Sequence, residues 1–303
     1  MKKYPSYLNI SVEEFEKRIK DAEQILQSCR ICPHQCGVNR IAGEKGLCRS
    51  TAQVMVSSYN AHFGEEPPIS GIGGSGTIFF TNCTLRCVFC QNYPISQLGN
   101  GNPVSISQLS KMMLDLQKRG CHNINLVTPT HFVPQIIAAL GQASKDGLSI
   151  PIVYNTSGYE SLTALKLLEG IVDIYMPDAK YADNMLARKY SGAKNYFDVL
   201  KDALREMYRQ IGDFKVDKNG VAISGLLVRH LVLPHNLAGT DQILPWIAQN
   251  ISNKTYISLM AQYFPTFRAA DYPQLSRPIT RKEYQEAKSV LKQCGFENGW
   301  LQQ

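Results

Sequence analysis

This chain contains six short apolar runs separated by amphipathic helical segments. This pattern restricts the possible folds more than any other feature of the sequence. The runs are TIFFT at 77–81, NINLV at 123–127, IPIVYN at 150–155, IVDIYM at 171–176, GLLVRHLVL at 225–233 and TYISLM at 255–260. Runs that are apolar at nearly every position are typical of strands buried on both faces, as in a parallel sheet. Because strands and helices alternate with right-handed crossovers, we predict an α/β fold, an open (partial) parallel (β/α)6 barrel. Reacting groups in such folds lie at the carboxyl ends of the strands.

The N-terminal part of the chain has a different character. Ser11 and Glu14 match a capping box at the start of a helix. Four cysteines then follow within twenty residues, and a Gly/Pro-rich stretch at 64–76 is typical of a loop. We therefore predict two units. Residues 1–70 form an N-terminal helix plus a cysteine-rich knuckle, and residues 71–303 form the partial barrel with a C-terminal helix.

Composition excludes several classes of protein. Nine cysteines form an odd count in a chain without an apparent export signal, which favours metal ligands or buried thiols over disulfides. No apolar run approaches the length of a membrane span, so we expect a cytoplasmic protein without a membrane partner. The net charge of +7 is spread along the chain rather than gathered in a basic run, so we do not expect nucleic-acid binding.

Three further cysteines directly follow the first buried run. Cys83, Cys87 and Cys90 have the spacing C-x3-C-x2-C, and the aromatic Phe89 precedes the last of them. Thiolates this close can bind one iron–sulfur cluster, and three cysteines leave one iron of a four-iron cubane without a protein ligand. An open coordination position is a site for reaction. The alternative is a structural zinc site that takes its fourth ligand from elsewhere in the chain.

The segment CTLRCVFC resembles the CX3CXΦC signature of the radical S-adenosylmethionine (SAM) superfamily, in which Φ is aromatic. The surrounding segments are similar to the branch related to pyruvate formate-lyase activating enzyme, in a form with an extra N-terminal cysteine cluster. Those segments are GSGTIFFTNCTLRCVFCQN, INLVTPTH, VYNTSGY, YMPDAKY and VRHLVLPHN. The resemblance implies a [4Fe-4S] cluster that cleaves SAM reductively to a 5′-deoxyadenosyl radical. It also implies an electron donor such as flavodoxin or ferredoxin, and a glycyl radical enzyme or another protein as substrate.

The same resemblance implies cofactor-binding residues at the ends of the second and third runs. Thr128 and Thr130 stand where relatives have a GGE-type motif, although this chain has neither the glycine pair nor the glutamate. Asn155 and Ser157 stand where the activating enzymes have a DTNG-like motif, with Asn155 in place of an aspartate. Both departures indicate a SAM site that differs from that of a standard activating enzyme. The Thr-Pro pair after the second run is equally consistent with an ordinary turn.

Charged residues at the later strand ends complete this predicted site. Asp178 and Lys180 resemble the D-x-K motif of the activating enzymes, and the alternative is that they pair with each other. Arg229 lies inside an apolar run and requires a carboxylate partner, which by resemblance belongs to SAM. Glu65 and Glu66 precede the first run in a glycine-rich loop that we expect to cover the barrel mouth.

A second cluster of cysteines suggests a second metal site. Its four members are Cys29, Cys32, Cys36 and Cys48. Four thiolates would satisfy either an auxiliary iron–sulfur cluster or a structural zinc ion, and the alternative is four free thiols in a compact loop.

Two classes of function follow from these patterns. The first is an enzyme that cleaves SAM and removes a hydrogen atom from a glycyl radical enzyme, from another protein or from a small molecule. The second is a non-catalytic iron–sulfur or zinc protein, a sensor or binding module built around the N-terminal cysteines. A nucleic-acid binder of that class predicts a basic stripe beside these cysteines, but Arg30, Arg40 and Lys45 are interrupted by Glu44. We therefore favour the enzyme.

Overall fold

The structure is a computed structural model that describes residues 3–302. Ten strands form one sheet, in which seven neighbouring strands run parallel. In chain order the strands are β1 (Val54–His62), β2 (Ser75–Phe80), β3 (Asn102–Val104), β4 (Ile124–Val127), β5 (Ile152–Thr156), β6 (Ile174–Pro177), β7 (Lys215–Val216), β8 (Ala222–Leu231), β9 (Tyr256–Met260) and β10 (Gly299–Leu301). The order across the sheet is β10-β9-β8-β6-β5-β4-β2-β1-β3, and β7 pairs with β8. The predicted open parallel barrel is confirmed, and all six predicted strands are present.

Ten α-helices accompany the strands. They are α1 (Val12–Gln27), α2 (Pro67–Ser70), α3 (Tyr93–Ser96), α4 (Ile106–Lys118), α5 (Val133–Lys145), α6 (Leu162–Leu167), α7 (Asn184–Ser191), α8 (Tyr196–Ile211), α9 (Thr240–Asn250) and α10 (Arg281–Gln293). Helix α1 begins as predicted, because the Ser11 side chain accepts a hydrogen bond from the Glu14 backbone N–H. None of the helices within residues 3–302 is both long enough and apolar enough to cross a membrane.

Four strands escaped prediction, and β1 is the most consequential of them. Only Val54 and Val56 of its nine residues are buried, whereas each of the six predicted strands is mostly buried. Strand β1 pairs antiparallel with β2, so that His62 lies opposite Ser75 at the amino end of β2. The sheet therefore continues across the predicted boundary at residue 70. The division into units 1–70 and 71–303 stays a prediction.

The loop after β1 closes the amino-terminal end of the barrel. Because β1 runs antiparallel to β2, the segment from Phe63 to Gly74 lies at the opposite end of the strands from the cysteine loop. Helix α2 within this segment buries Ile69 completely, and the Asn123 side chain donates a hydrogen bond to the Ile69 carbonyl (2.8 Å). The expectation that this loop covers the barrel mouth is wrong, because it forms the floor instead.

Candidate active site

The three cysteines after β2 lie in a tightly bonded loop. The thiol of Cys83 accepts a hydrogen bond from the Leu85 backbone N–H (3.3 Å), and the Cys87 thiol accepts one from the Ser191 hydroxyl (3.0 Å). Burial raises the pKa of the Cys83 thiol to about 12 and that of Cys87 to about 11. Unpaired thiolates at these two positions would therefore be costly, and a metal centre would supply the positive charge that stabilises them. The donor set fits an iron–sulfur cluster.

These thiols line a cavity of about 420 Å³ inside the barrel. Ten of the eleven predicted residues line it: Cys83, Cys87, Phe89, Cys90, Thr128, Asn155, Ser157, Asp178, Lys180 and Arg229. Thr130 is the exception. Residues that the prediction did not include also line the cavity, among them His62, Glu65, Glu66, Trp300 and Gln302. Parallel strands thus bring residues from distant parts of the chain to one cavity.

The end of β4 differs most from the expectation. Thr128 lines the cavity with a left-handed backbone (φ 59°), which is unfavourable for a β-branched residue. Its N–H donates to the Asn155 carbonyl (2.9 Å), so the chain bends here toward β5. Thr130 is buried, and its hydroxyl donates to the carboxylate of Glu160 (2.6 Å). The structure therefore directs Thr130 away from the cavity.

Glu160 accepts hydrogen bonds from residues at the ends of two neighbouring strands, β4 and β5. Besides Thr130, the hydroxyls of Tyr154 (3.1 Å) and Thr156 donate to its carboxylate. Because Thr156 itself lines the cavity, Glu160 supports the cavity wall from behind. Burial raises the pKa of Glu160 from 4.5 to about 7, and the hydroxyl donors oppose this only in part. The apolar runs gave no signal of this residue, which follows β5 in a short loop.

The raised pKa of Glu160 predicts a pH-dependent stability. Between pH 4.5 and about 7 the unfolded chain ionises this carboxyl while the folded protein keeps its proton. The free energy of unfolding therefore falls as pH rises through this window, by about 3 kcal/mol, and levels off above it. Urea unfolding gives the free energy of unfolding of the wild type and of Glu160→Gln at several pH values. The difference between the two proteins at each pH is the contribution of Glu160. The exposed Glu16→Gln keeps Glu160 and should show the same slope as the wild type, whereas equal slopes in all three proteins would contradict the prediction.

Asp178 and Lys180 follow β6 at the carboxyl end of the barrel. Lys180 Nζ donates to Asp178 Oδ2 (2.5 Å), so the two residues pair with each other and also line the cavity. Although burial opposes its charge, Asp178 and Cys87 raise the pKa of Lys180 above its usual value. Gly158 packs against the backbone of Asp178. Its φ is +74°, and a Cβ at this position would lie 2.5 Å from the Asp178 carbonyl oxygen. Gly158 therefore allows close packing of the two strand ends.

Arg229 has a carboxylate partner, but the chain itself supplies it. Its Nε and Nη2 donate to Glu66 Oε1 (2.9 Å) and Oε2 (2.7 Å), and Nη2 also donates to Glu65. All three side chains are at least 86% buried, with exposures of 14% for Arg229, 8% for Glu65 and 2% for Glu66. Its remaining nitrogen, Nη1, makes one long contact with Asn155 Oδ1 (3.4 Å). The sequence thus indicated that Arg229 needs a carboxylate partner, but it did not identify Glu65 and Glu66 as the partners.

The N-terminal cysteines pack directly against the cysteine loop of the cavity. His34 contacts the Thr84 carbonyl through Nε2 (2.7 Å), and Arg86 donates to the Leu47 carbonyl. Three of the four thiols are buried, namely Cys29, Cys32 and Cys48. Within residues 3–302, no three His, Cys, Asp or Glu side chains are grouped so as to hold a single metal ion. A second metal site at this position stays a prediction.

Comparisons with known proteins give one matching family model and one similar sequence. A family model described as the radical SAM superfamily matches residues 77–220. An uncharacterized protein of Methanocaldococcus jannaschii is 32% identical over 293 residues, which cover 92% of this chain and 79% of that protein.

Solved structures with a similar fold are more distant. The hydrogenase maturase HydG superposes with a TM-score of 0.50 at 11% identity, over 97% of this chain and 57% of that chain. This chain therefore spans less than two thirds of the length of HydG. Methylornithine synthase (PylB) superposes with a TM-score of 0.48 at 16% identity, over 96% of this chain and 71% of that chain. At 11% identity the likeness to HydG shows the fold alone.

Proposed function

Because this chain belongs to the radical SAM superfamily, we propose that it cleaves SAM reductively and removes a hydrogen atom from a second molecule. The observation that carries the proposal is that three thiols, those of Cys83, Cys87 and Cys90, line one barrel cavity, with Cys87 buried and the other two partly buried. Membership of this superfamily supports an enzyme over a non-catalytic binding module. A cytoplasmic location is part of the proposal.

The residues of the cavity suit the cofactors that this chemistry needs. A [4Fe-4S] cluster with SAM supplies, when bound, the electron and the carbon–sulfur bond cleavage that generate a 5′-deoxyadenosyl radical. Cys83, Cys87 and Cys90 would hold the cluster, and the barrel walls would keep water from the radical. The aromatic ring of Phe89 packs edge-to-face against the rings of Tyr181 and Tyr263, at centroid distances of 6.4 and 5.7 Å. This packing supports a rigid cluster loop.

We assign the carboxylate of SAM to Lys180 rather than to Arg229. Lys180 has three N–H donors, of which Asp178 uses one, so two remain for a ligand. Arg229 already donates from Nε and Nη2 to Glu66 and Glu65. The Ser157 hydroxyl lines the same cavity, has no hydrogen-bond partner in the described part of the chain and can bind a further polar group.

Anaerobic turnover tests this proposal directly. Protein reconstituted with iron and sulfide and reduced with dithionite should convert SAM to 5′-deoxyadenosine and methionine, measured by liquid chromatography. Iron is counted in the same samples. If a preparation with a full cluster forms no 5′-deoxyadenosine, the radical function is ruled out.

The finer assignment is activation of a glycyl radical enzyme, with flavodoxin or ferredoxin as the electron donor. The resemblance of the strand-end motifs to the activating enzymes supports it. A small molecule or another protein is the second candidate, supported by the departures at Thr128 and Asn155. Incubation with a glycyl radical enzyme from the same organism separates the two, because activation produces a glycyl radical signal in electron paramagnetic resonance.

We further propose a second metal site, an iron–sulfur cluster or zinc, held by Cys29, Cys32, Cys36 and Cys48. The thiols of the other three raise the pKa of Cys32 electrostatically, in addition to the larger effect of burial, which supports four neighbouring thiols. The Cys36 thiol also accepts a hydrogen bond from the Leu47 N–H (3.4 Å).

Metal analysis tests the second site. Cys32→Ala should contain less iron or zinc per chain than the wild type, because one of four ligands is lost. Some SAM cleavage should remain, because the variant keeps the three cavity cysteines. Cys121→Ala, which removes a buried lone thiol, is the control and should keep the full metal content. Equal metal content in both variants would contradict a second site.

A further inference from the structure

The cavity has an acidic floor at the end opposite the three thiols. Cys83 follows the carboxyl end of β2, whereas Glu65 and Glu66 precede its amino end. Both glutamates line the cavity and contact Arg229, whose side chain meets them from β8. The cavity therefore extends along the barrel from the cysteine loop to these two carboxylates, and its two ends have different chemistry.

The floor carries more negative than positive charge. The Asp178–Lys180 pair is balanced, and the bidentate pair of hydrogen bonds to Glu66 neutralises the charge of Arg229, which also contacts Glu65. Glu65 is then the carboxylate in excess. An excess charge that is 92% buried is unfavourable unless a cation accompanies it. The charge at the floor therefore favours a cationic ligand and disfavours an anionic one.

An unused acceptor lies beside Glu65. The side chain of Asn125, on β4, is completely buried and donates from Nδ2 to Glu65 Oε1 (2.9 Å). Its Oδ1, the other end of the same amide, has no hydrogen-bond partner among residues 3–302. Buried acceptors without partners are rare and costly, so this oxygen indicates a missing N–H or O–H donor. This observation is independent of the charge count and leads to the same kind of ligand.

We propose that this floor binds an alkylammonium group of the substrate, with Glu65, which lines the cavity, as the first acceptor and the Asn125 amide, bonded to Glu65 behind the cavity wall, as the second. A compact ammonium has three donors and can reach a carboxylate and an amide oxygen together. A guanidinium fits less well, because it requires a bidentate carboxylate and Arg229 already uses Glu66 in that way. The inference rests on the proposed function in that it names the substrate class of the same cavity. The amine can belong to a small molecule or to a lysine side chain.

Binding of small probes tests the charge preference without turnover. The full chain, loaded anaerobically with its cluster, is titrated with n-propylammonium, propionate or 1-propanol and followed by ligand-observed NMR. We expect n-propylammonium to bind at least about tenfold more tightly than the other two. Glu65→Gln should lose this preference, and the exposed Glu16→Gln should keep it. Equal or tighter binding of propionate, or an unchanged preference in Glu65→Gln, would overturn the proposal.

Two additions keep the result interpretable. Glu65→Asp retains the charge, so it should preserve part of the preference, and thermal unfolding of each variant checks that it is folded. A glycine-rich peptide with one central lysine is compared with n-propylammonium. Binding of both indicates a protein-borne lysine, and binding of the free amine alone indicates a small molecule. SAM cleavage without substrate is measured in parallel, so a protein that cleaves SAM but shows no cation preference refutes this inference and leaves the proposed function intact.

Discussion

Cys83→Ala should abolish the reductive cleavage of SAM, with a loss of at least about a thousandfold in the rate of 5′-deoxyadenosine formation. The same loss is expected for Cys87→Ala and Cys90→Ala. Each substitution removes one of the three thiols that line the cavity, and no other cysteine within residues 3–302 lines it to take the vacant position. Liquid chromatography of the anaerobic reaction gives the rate, and iron analysis gives the cluster content.

Cys294→Ala is the matched control for these variants. It removes a partly buried thiol that does not line the cavity, so turnover and iron content at the cavity should stay at wild-type levels. A Cys83→Ala protein that kept both wild-type turnover and a full cluster would disprove the assignment of this cysteine as a ligand. Loss of turnover in Cys294→Ala would instead indicate a general effect of cysteine removal.

Arg229→Met should destabilise the folded protein by about 3–5 kcal/mol, the typical cost of removing one partner from a buried ion pair. Methionine keeps an unbranched side chain as far as the ε position but carries no charge. The substitution therefore leaves Glu65 and Glu66 close together, almost fully buried and without a cation. Urea unfolding measures the change in the free energy of unfolding.

The triple variant Glu65→Gln, Glu66→Gln, Arg229→Met is expected to recover much of this loss. It removes the two carboxylates together with their partner, so no buried charge remains unpaired. Arg119→Met serves as the control, because Arg119 pairs with Asp115 at the surface and should contribute less than about 1 kcal/mol. A loss below that value in Arg229→Met would mean that this ion cluster does not stabilise the floor of the barrel.

Local patterns explain why much of the site was predictable. Cys83, Cys87 and Cys90 lie within one segment of eight residues. Because this segment follows an apolar run, the strand end that carries the cysteines can be identified from the sequence. Strands buried on both faces are apolar at nearly every position, so six of them could be recognised without their neighbours. The half-exposed β1 carries a weaker signal, and β10 is only three residues long.

Thr130 and Glu160 show where such reasoning fails. Thr130 was predicted to bind the cofactor from its place in a strand-end motif, yet its hydroxyl donates to a carboxylate thirty residues away. Two residues apart on a loop can face opposite directions, so Thr128 lines the cavity and Thr130 does not. A motif identifies the segment, whereas the backbone angles of that segment decide which side chain enters the site.

By itself, the sequence determined the parallel barrel, the cysteine loop and the requirement that a buried Arg229 have a carboxylate partner. Only the tertiary structure decided that this partner is Glu65 and Glu66, more than 160 residues away in the chain. The reason is the antiparallel pairing of β1 with β2, which carries the glutamates to the amino end of the barrel. Burial can show that a charge needs a partner, but the choice among distant carboxylates depends on strand order and direction, which no local pattern records.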